Sequence, residues 1–91
     1  MKLILSPAFA KAAKKIVGRN ADIAEDLRLA LSLLAIDEFH PKLKTHKLKG
    51  YKEVWSCKAA YDLRVIFRFV NDEAAEKSIL LLNVGTHDDV Y

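Results

Sequence analysis

At 91 residues, with 52% apolar and 30% charged side chains, the chain has the size and composition of one globular domain, not of a disordered tail. A single cysteine, Cys57, excludes an internal disulfide and fits a reducing compartment. No apolar run reaches the ~18 residues of a membrane span, and Met1-Lys2-Leu3-Ile4-Leu5-Ser6 is too short for a signal peptide, so a cytoplasmic, membrane-free protein is expected. In chain order, residues 2–5 read as a short strand ending at Ser6. Ser6-Pro7 starts a helix, with serine as the cap and proline at the first turn, where its missing N–H costs nothing. Phe9, Ala12, Ala13, Ile16 and Val17 recur at helical spacing, with Lys11, Lys14 and Lys15 on the other face, and Gly18 marks the stop. Asn20 caps a second helix, whose stripe of Ile23, Leu27, Ala30, Leu31 and Leu34 runs to about Phe39 before Pro41.

The second half changes period. Tyr51 to Cys57, Leu63 to Val70 and Ser78 to Val84 read as three strands. Leu63, Val65, Phe67 and Phe69 share one face of the middle strand, and Asp62, Arg64, Ile66 and Arg68 share the other. The run from Ser78 to Val84 is apolar almost throughout, as a strand covered on both faces would be. The order is therefore β-α-α-β-β-β, one α+β domain over residues 1–91. A small, curved, mainly antiparallel sheet packs on an N-terminal helical hairpin. Two helices cover one face only, which leaves the face of Arg64 and Arg68 available as a basic surface. The 41–50 loop and the C-terminal tail can both approach its rim.

Charge is distributed unevenly. Residues 40–68 hold 8 of the 15 lysines and arginines but only two of the 12 acids, Glu53 and Asp62. A chain of net charge +3 is thus a +6 segment on a −3 scaffold. His40, His46, Tyr51, Trp55 and Tyr61 lie in that segment, and His87 lies close to the C-terminus. Clustered cations beside aromatic and imidazole groups suit a polyanion, so RNA or DNA is the first partner to test. Lys42, Lys44, Lys47, Lys49 and Lys52 outnumber what a solvated loop without acidic partners needs, and Lys44, Lys47, Lys49 and Lys52 form, with Lys58, Arg68 and Tyr91, the candidate RNA-binding set. His40, between a helix end and a proline, reads as structural, and Trp55 and Phe67 as core. No pair of histidines or cysteines has zinc-ligand spacing, and Gly18, Gly50 and Gly85 are too far apart to cradle a nucleotide, so no metal and no cofactor is expected.

Four segments in this order carry a resemblance: the helical hairpin after Ser6-Pro7, His46-Lys47-Leu48-Lys49-Gly50, Tyr61-Asp62-Leu63-Arg64-Val65-Ile66-Phe67, and Val84-Gly85-Thr86-His87 with Tyr91. Over nearly its full length the chain resembles the RelE/ParE superfamily of toxins from type II toxin–antitoxin modules, and most closely its YafQ-like branch. That resemblance implies a ribosome-dependent endoribonuclease that cuts mRNA in the decoding site. Its implied partners are a silencing antitoxin, the ribosome with its message, and promoter DNA reached through the antitoxin. It also implies roles: His87 as the terminal catalytic histidine, His46 as the loop histidine, Asp62 as the acid before the central strand, Arg64 as the arginine that begins it, and Tyr91 as the terminal aromatic. Two positions depart from the branch. Lys58 stands where another histidine is expected, and Leu63 where an aromatic is.

The chemistry these groups can support is cleavage by the RNA's own 2′-OH, which attacks the adjacent phosphate and expels the 5′-oxygen. A base near the hydroxyl, a cation at the phosphate and an acid at the leaving oxygen suffice without a metal. An imidazole suits either proton role, each worth roughly 10²–10⁴ in rate. His87 is then the acid, His46 or Asp62 the base, and Arg64 with Lys49 the phosphate stabilisers. Tyr91 orients or stacks on a base. Two other readings stay open: a ParE-like inhibitor of DNA gyrase with no nuclease activity, and a non-catalytic RNA- or ribosome-binding module.

Overall fold

The computed structural model describes residues 1–91. It begins with strand β1 (Lys2–Leu5) and helices α1 (Pro7–Val17) and α2 (Ala21–Ile36). A 3-10 turn (Pro41–Leu43) leads to β2 (His46–Lys47), β3 (Trp55–Ala60), β4 (Leu63–Asn71) and β5 (Lys77–Gly85), and a last helix, α3 (His87–Val90), closes the chain. Both expected caps form. The Ser6 hydroxyl accepts the Phe9 N–H at 3.1 Å, and the Asn20 side chain accepts the Asp22 N–H at 2.9 Å. No helix is long and apolar enough to cross a membrane.

The strands form one five-stranded sheet in the order β1-β5-β4-β3-β2. β1 runs parallel to β5, and every other pair is antiparallel. The fold is α+β as expected, with the hairpin on one face. Phe9 of α1 and Leu27, Ala30 and Leu34 of α2 meet Cys57, Val65, Phe67, Ile79 and Leu81 in a single apolar cluster. β5 carries an extra residue near Leu82, where its pairing with β4 shifts between Ile66 and Phe67. That bulge lets Leu81 and Val84, three apart, both join the core. Phe67 is fully buried and meets Phe69 edge-on at 5.5 Å. Phe67→Ala is expected to cost ~3–5 kcal/mol, read as a fall in the denaturant midpoint. For a domain whose whole stability is of order 5–15 kcal/mol, that approaches unfolding.

Three boundaries differ from the sequence reading, each for a local reason. α2 stops at Ile36 because Asp37 turns the chain: its carboxylate accepts the Phe39 N–H at 3.3 Å and its carbonyl the His40 N–H at 3.0 Å. The strand expected from Tyr51 begins only at Trp55 and runs on to Ala60. Its first residues are held in a loop closed by the Leu48 N–H on the Val54 carbonyl, with Gly50 at φ 88° and Glu53 at φ 59°. Gly50 sits in a left-handed turn conformation that side chains disfavour, and Tyr51 N–H closes that turn on Leu48. β2 and α3 were not expected as elements, being two and four residues long.

Candidate functional site

Residues paired across neighbouring strands share a face. His46 pairs with Ser56, Ser56 with Ile66, and Ile66 with Asn83, so one row crosses the sheet on the side away from the helical hairpin. The next row is Lys58, Arg64 and Gly85. Arg68 lies on the same face, four residues along β4 from Arg64, or about 13 Å at the usual rise per residue. The alternation expected along β4 is thus present, and it turns both arginines away from the core.

This face is not bare. The tail folds over the end of β5 as α3 and packs on β4 and β5. Five contacts shape and hold it. The Thr86 hydroxyl accepts the Asp89 N–H at 3.3 Å, and the Asp89 carboxylate accepts the Thr86 N–H at 3.2 Å, a reciprocal cap. The Asp62 carboxylate accepts the His87 N–H at 3.4 Å. The Tyr91 hydroxyl is hydrogen-bonded to the Ser56 hydroxyl, and the His87 and Tyr91 rings meet edge-on, 4.4 Å apart at 89°. Hydrogen bonds from Thr86, then the nearby Lys15 and Arg19 charges, hold the Asp89 carboxyl below its ordinary 3.8. A depressed folded-state value means that this cap holds the tail above the ordinary aspartate range and loses its grip as pH falls through the depressed value. At neutral pH it is fully charged.

The sequence candidates therefore divide. His87 and Tyr91 touch directly, Tyr91 reaches Ser56, and Ser56 is the cross-strand register partner of His46, which places His46 one strand away from the residue that anchors Tyr91. His46 Nδ1 lies 2.9 Å from the Lys44 carbonyl. A carbonyl only accepts, so Nδ1 carries a proton, and in the neutral form of the ring it is Nε2 that offers the lone pair. Asp62 is exposed but already holds the α3 backbone. Arg64 is partly committed as well, its Nη1 donating to the carbonyls of Ala60, Tyr61 and Leu63 at 3.1, 3.3 and 3.3 Å. Its Nη2 and Nε are left for a ligand.

Among the lysines, Lys44, Lys49 and Lys52 are exposed in the segments flanking β2, and Lys58 lies beside Arg64. Lys47 diverges from the others. It pairs with Trp55, and its Nζ lies 5.8 Å from that ring, on the hairpin side of the sheet and away from His46. His40 is structural, though as an acceptor: its Nδ1 takes the Lys42 N–H at 3.1 Å and caps the 3-10 turn. Burial pushes the Cys57 thiol up to about 12, which removes it as a nucleophile. No three His, Cys, Asp or Glu side chains come together as a metal-holding group.

Ser56 is the site residue that sequence reasoning missed. It is fully buried, and its hydroxyl anchors Tyr91, which in turn bears on His87. Ser56→Ala and Tyr91→Phe remove the same hydrogen bond, and each is expected to loosen tail docking about two- to tenfold, read as faster hydrogen exchange over residues 87–91. The double variant should be no worse than the weaker single one. Additive losses would show that the two hydroxyls act separately.

The sequence model of the family described as "Bacterial toxin of type II toxin-antitoxin system, YafQ" matches residues 1–91. The chain belongs to the YafQ toxin family. No curated protein sequence matches it. Among solved structures, the YoeB/ParE toxin from Agrobacterium tumefaciens superposes with a TM-score of 0.78 at 18% identity, over 96% of this chain and 99% of that one. The E. coli DinJ–YafQ complex gives 0.78 at 19% identity, over 99% and 97%. A histidine-to-glutamine variant of E. coli YafQ gives 0.79 at 18%, over 99% and 97%. At these identities the structural likeness carries the fold, a RelE/YoeB-like one, and the family match carries the assignment as a type II toxin of the YafQ family.

Proposed function

We propose that this YafQ-family toxin is an endoribonuclease that cuts mRNA on the ribosome and is silenced by a cognate antitoxin. The observation that carries the reading is the contact chain on the non-helical face, from His87 through Tyr91 and Ser56 to the register position of His46, beside Arg64 and Lys58. Two imidazoles and a cationic strand on one face can supply the base, the acid and the phosphate stabiliser that 2′-OH attack uses. His46 is the preferred base, because its Nε2 is free whereas the Asp62 carboxylate already holds the tail. His87 protonates the departing 5′-oxygen. Arg64, Lys49 and Lys58 balance the charge that builds on the phosphate, Arg68 extends the cationic surface along β4, and Lys44 and Lys52 add to it from the segments flanking β2. None of these steps calls on a metal. The antitoxin follows from the family and from the E. coli complex in which YafQ is bound to DinJ.

The test is a translation reaction containing the purified protein, followed by primer extension on the message. New 5′ ends inside the open reading frame, lost when an antitoxin is added, are the expected result. Intact message together with loss of gyrase supercoiling activity would favour the gyrase reading instead. Salt-sensitive ribosome binding without cuts would favour a binding module.

A further inference from the structure

Tyr61 is 90% exposed, more than any other large apolar or aromatic side chain of the chain. Single exposed apolar groups are common on protein surfaces, so exposure alone decides nothing. Its setting does. The ring stands on the two-residue turn between β3 and β4, and Lys58 Nζ lies 5.9 Å from its centroid, so a cation flanks the ring while most of its surface stays in water. The turn is braced, because Arg64 ties the carbonyls on both sides of it and that of Tyr61 itself. The next residue, Asp62, holds the His87 backbone, which fixes this turn against α3. An exposed aromatic ring on a stiff turn loses little freedom when a flat partner covers it.

We propose that Tyr61 is a stacking platform for one unpaired nucleobase of the RNA strand, next to the phosphodiester that is cut, with Lys58 taking a neighbouring phosphate. The proposal rests on the RNA-cleaving reading and adds a base contact that neither the charge pattern nor the imidazoles supply. Stacking on an aromatic side chain is tolerant of base identity, so Tyr61 contributes affinity and register rather than sequence choice.

The test uses the full chain and a fluorescein-labelled RNA octamer with 2′-O-methyl riboses, which cannot be cut by 2′-OH attack. A second octamer carries the same backbone with abasic sugars. Tyr61→Ala should weaken binding of the base-bearing octamer by roughly 5- to 100-fold, and Tyr61→Phe should stay within twofold of the parent. On the abasic octamer Tyr61→Ala and the parent should bind equally. Equal binding of Tyr61→Ala and parent to the base-bearing octamer would overturn the platform. So would an equal loss on both octamers. If the parent still cuts messages on the ribosome, either result leaves the nuclease reading standing. A parent that neither binds the octamer nor cuts a message would overturn both.

Discussion

Replacing His87 by alanine is expected to slow message cleavage by roughly 10²–10⁴-fold, the range for removing one proton-transfer group. The substitution keeps the backbone contacts that dock the tail. The N–H of residue 87 still reaches the Asp62 carboxylate, and the Thr86–Asp89 cap involves no atom of the imidazole. What disappears is the ring, including its edge-on contact with Tyr91. Its other close neighbour, the Asp88 carboxylate at 3.9 Å from Nδ1, is too far for a hydrogen bond and fully in solvent, so it offers little support. The loss should therefore fall on the maximal rate, with ribosome binding within a few-fold of the parent. Single-turnover cleavage on programmed ribosomes separates the two. A maximal rate within twofold of the parent would remove His87 from the chemistry.

Gly85→Ala is expected to reduce activity about 100-fold while leaving the core intact. A Cβ at this position would lie 2.8 Å from Asp89 Cβ, 3.2 Å from its carboxylate and 3.3 Å from Val90 Cγ1. The conflict is entirely with α3, on the face that Gly85 shares with Arg64. The sheet itself tolerates alanine there, so the helix must move. Moving it by even an ångström displaces the Tyr91–Ser56 and His87–Asp62 contacts together, and misplacement of that size costs on the order of 10² in rate. Hydrogen exchange should rise across residues 86–91 and stay unchanged in β4 and β5. Full activity in this variant would mean that α3 need not be docked for cleavage. A general loss of protection would mean that the defect lies in the fold.

Much of this architecture was legible because it is local or periodic. Ser6-Pro7 and Asn20 announce their helices through capping chemistry that needs only a few residues, and the structure has both caps. The middle strand's alternation alone assigns Arg64, Ile66 and Arg68 to one face, and the strand pairing agrees. The misses share a cause. Two residues of β2 and four of α3 carry no period, so neither could be told from loop. The bulge near Leu82 was hidden inside an unbroken apolar run, where no polar residue marks the change of face. Ser56 had no signature at all: a serine between Trp55 and Cys57 gains its meaning from Tyr91, 35 residues away. The face that Lys47 takes depends on β2 being a strand, so its divergence from the neighbouring lysines has no signal in the sequence. That one nitrogen of Arg64 braces the β3–β4 turn is likewise invisible in sequence, because the three carbonyls it meets are brought together only by the turn itself.

The most direct measurement of the central claim is the chemistry of the ends left on a message cut in the presence of purified protein and ribosomes. Attack by the RNA's own 2′-oxygen under acid–base control predicts a 2′,3′-cyclic phosphate on one fragment, a 5′-hydroxyl on the other, and no cut at a nucleotide whose 2′-hydroxyl has been replaced by hydrogen. A 3′-hydroxyl facing a 5′-phosphate, with the 2′-deoxy message cut at the normal rate, would contradict it.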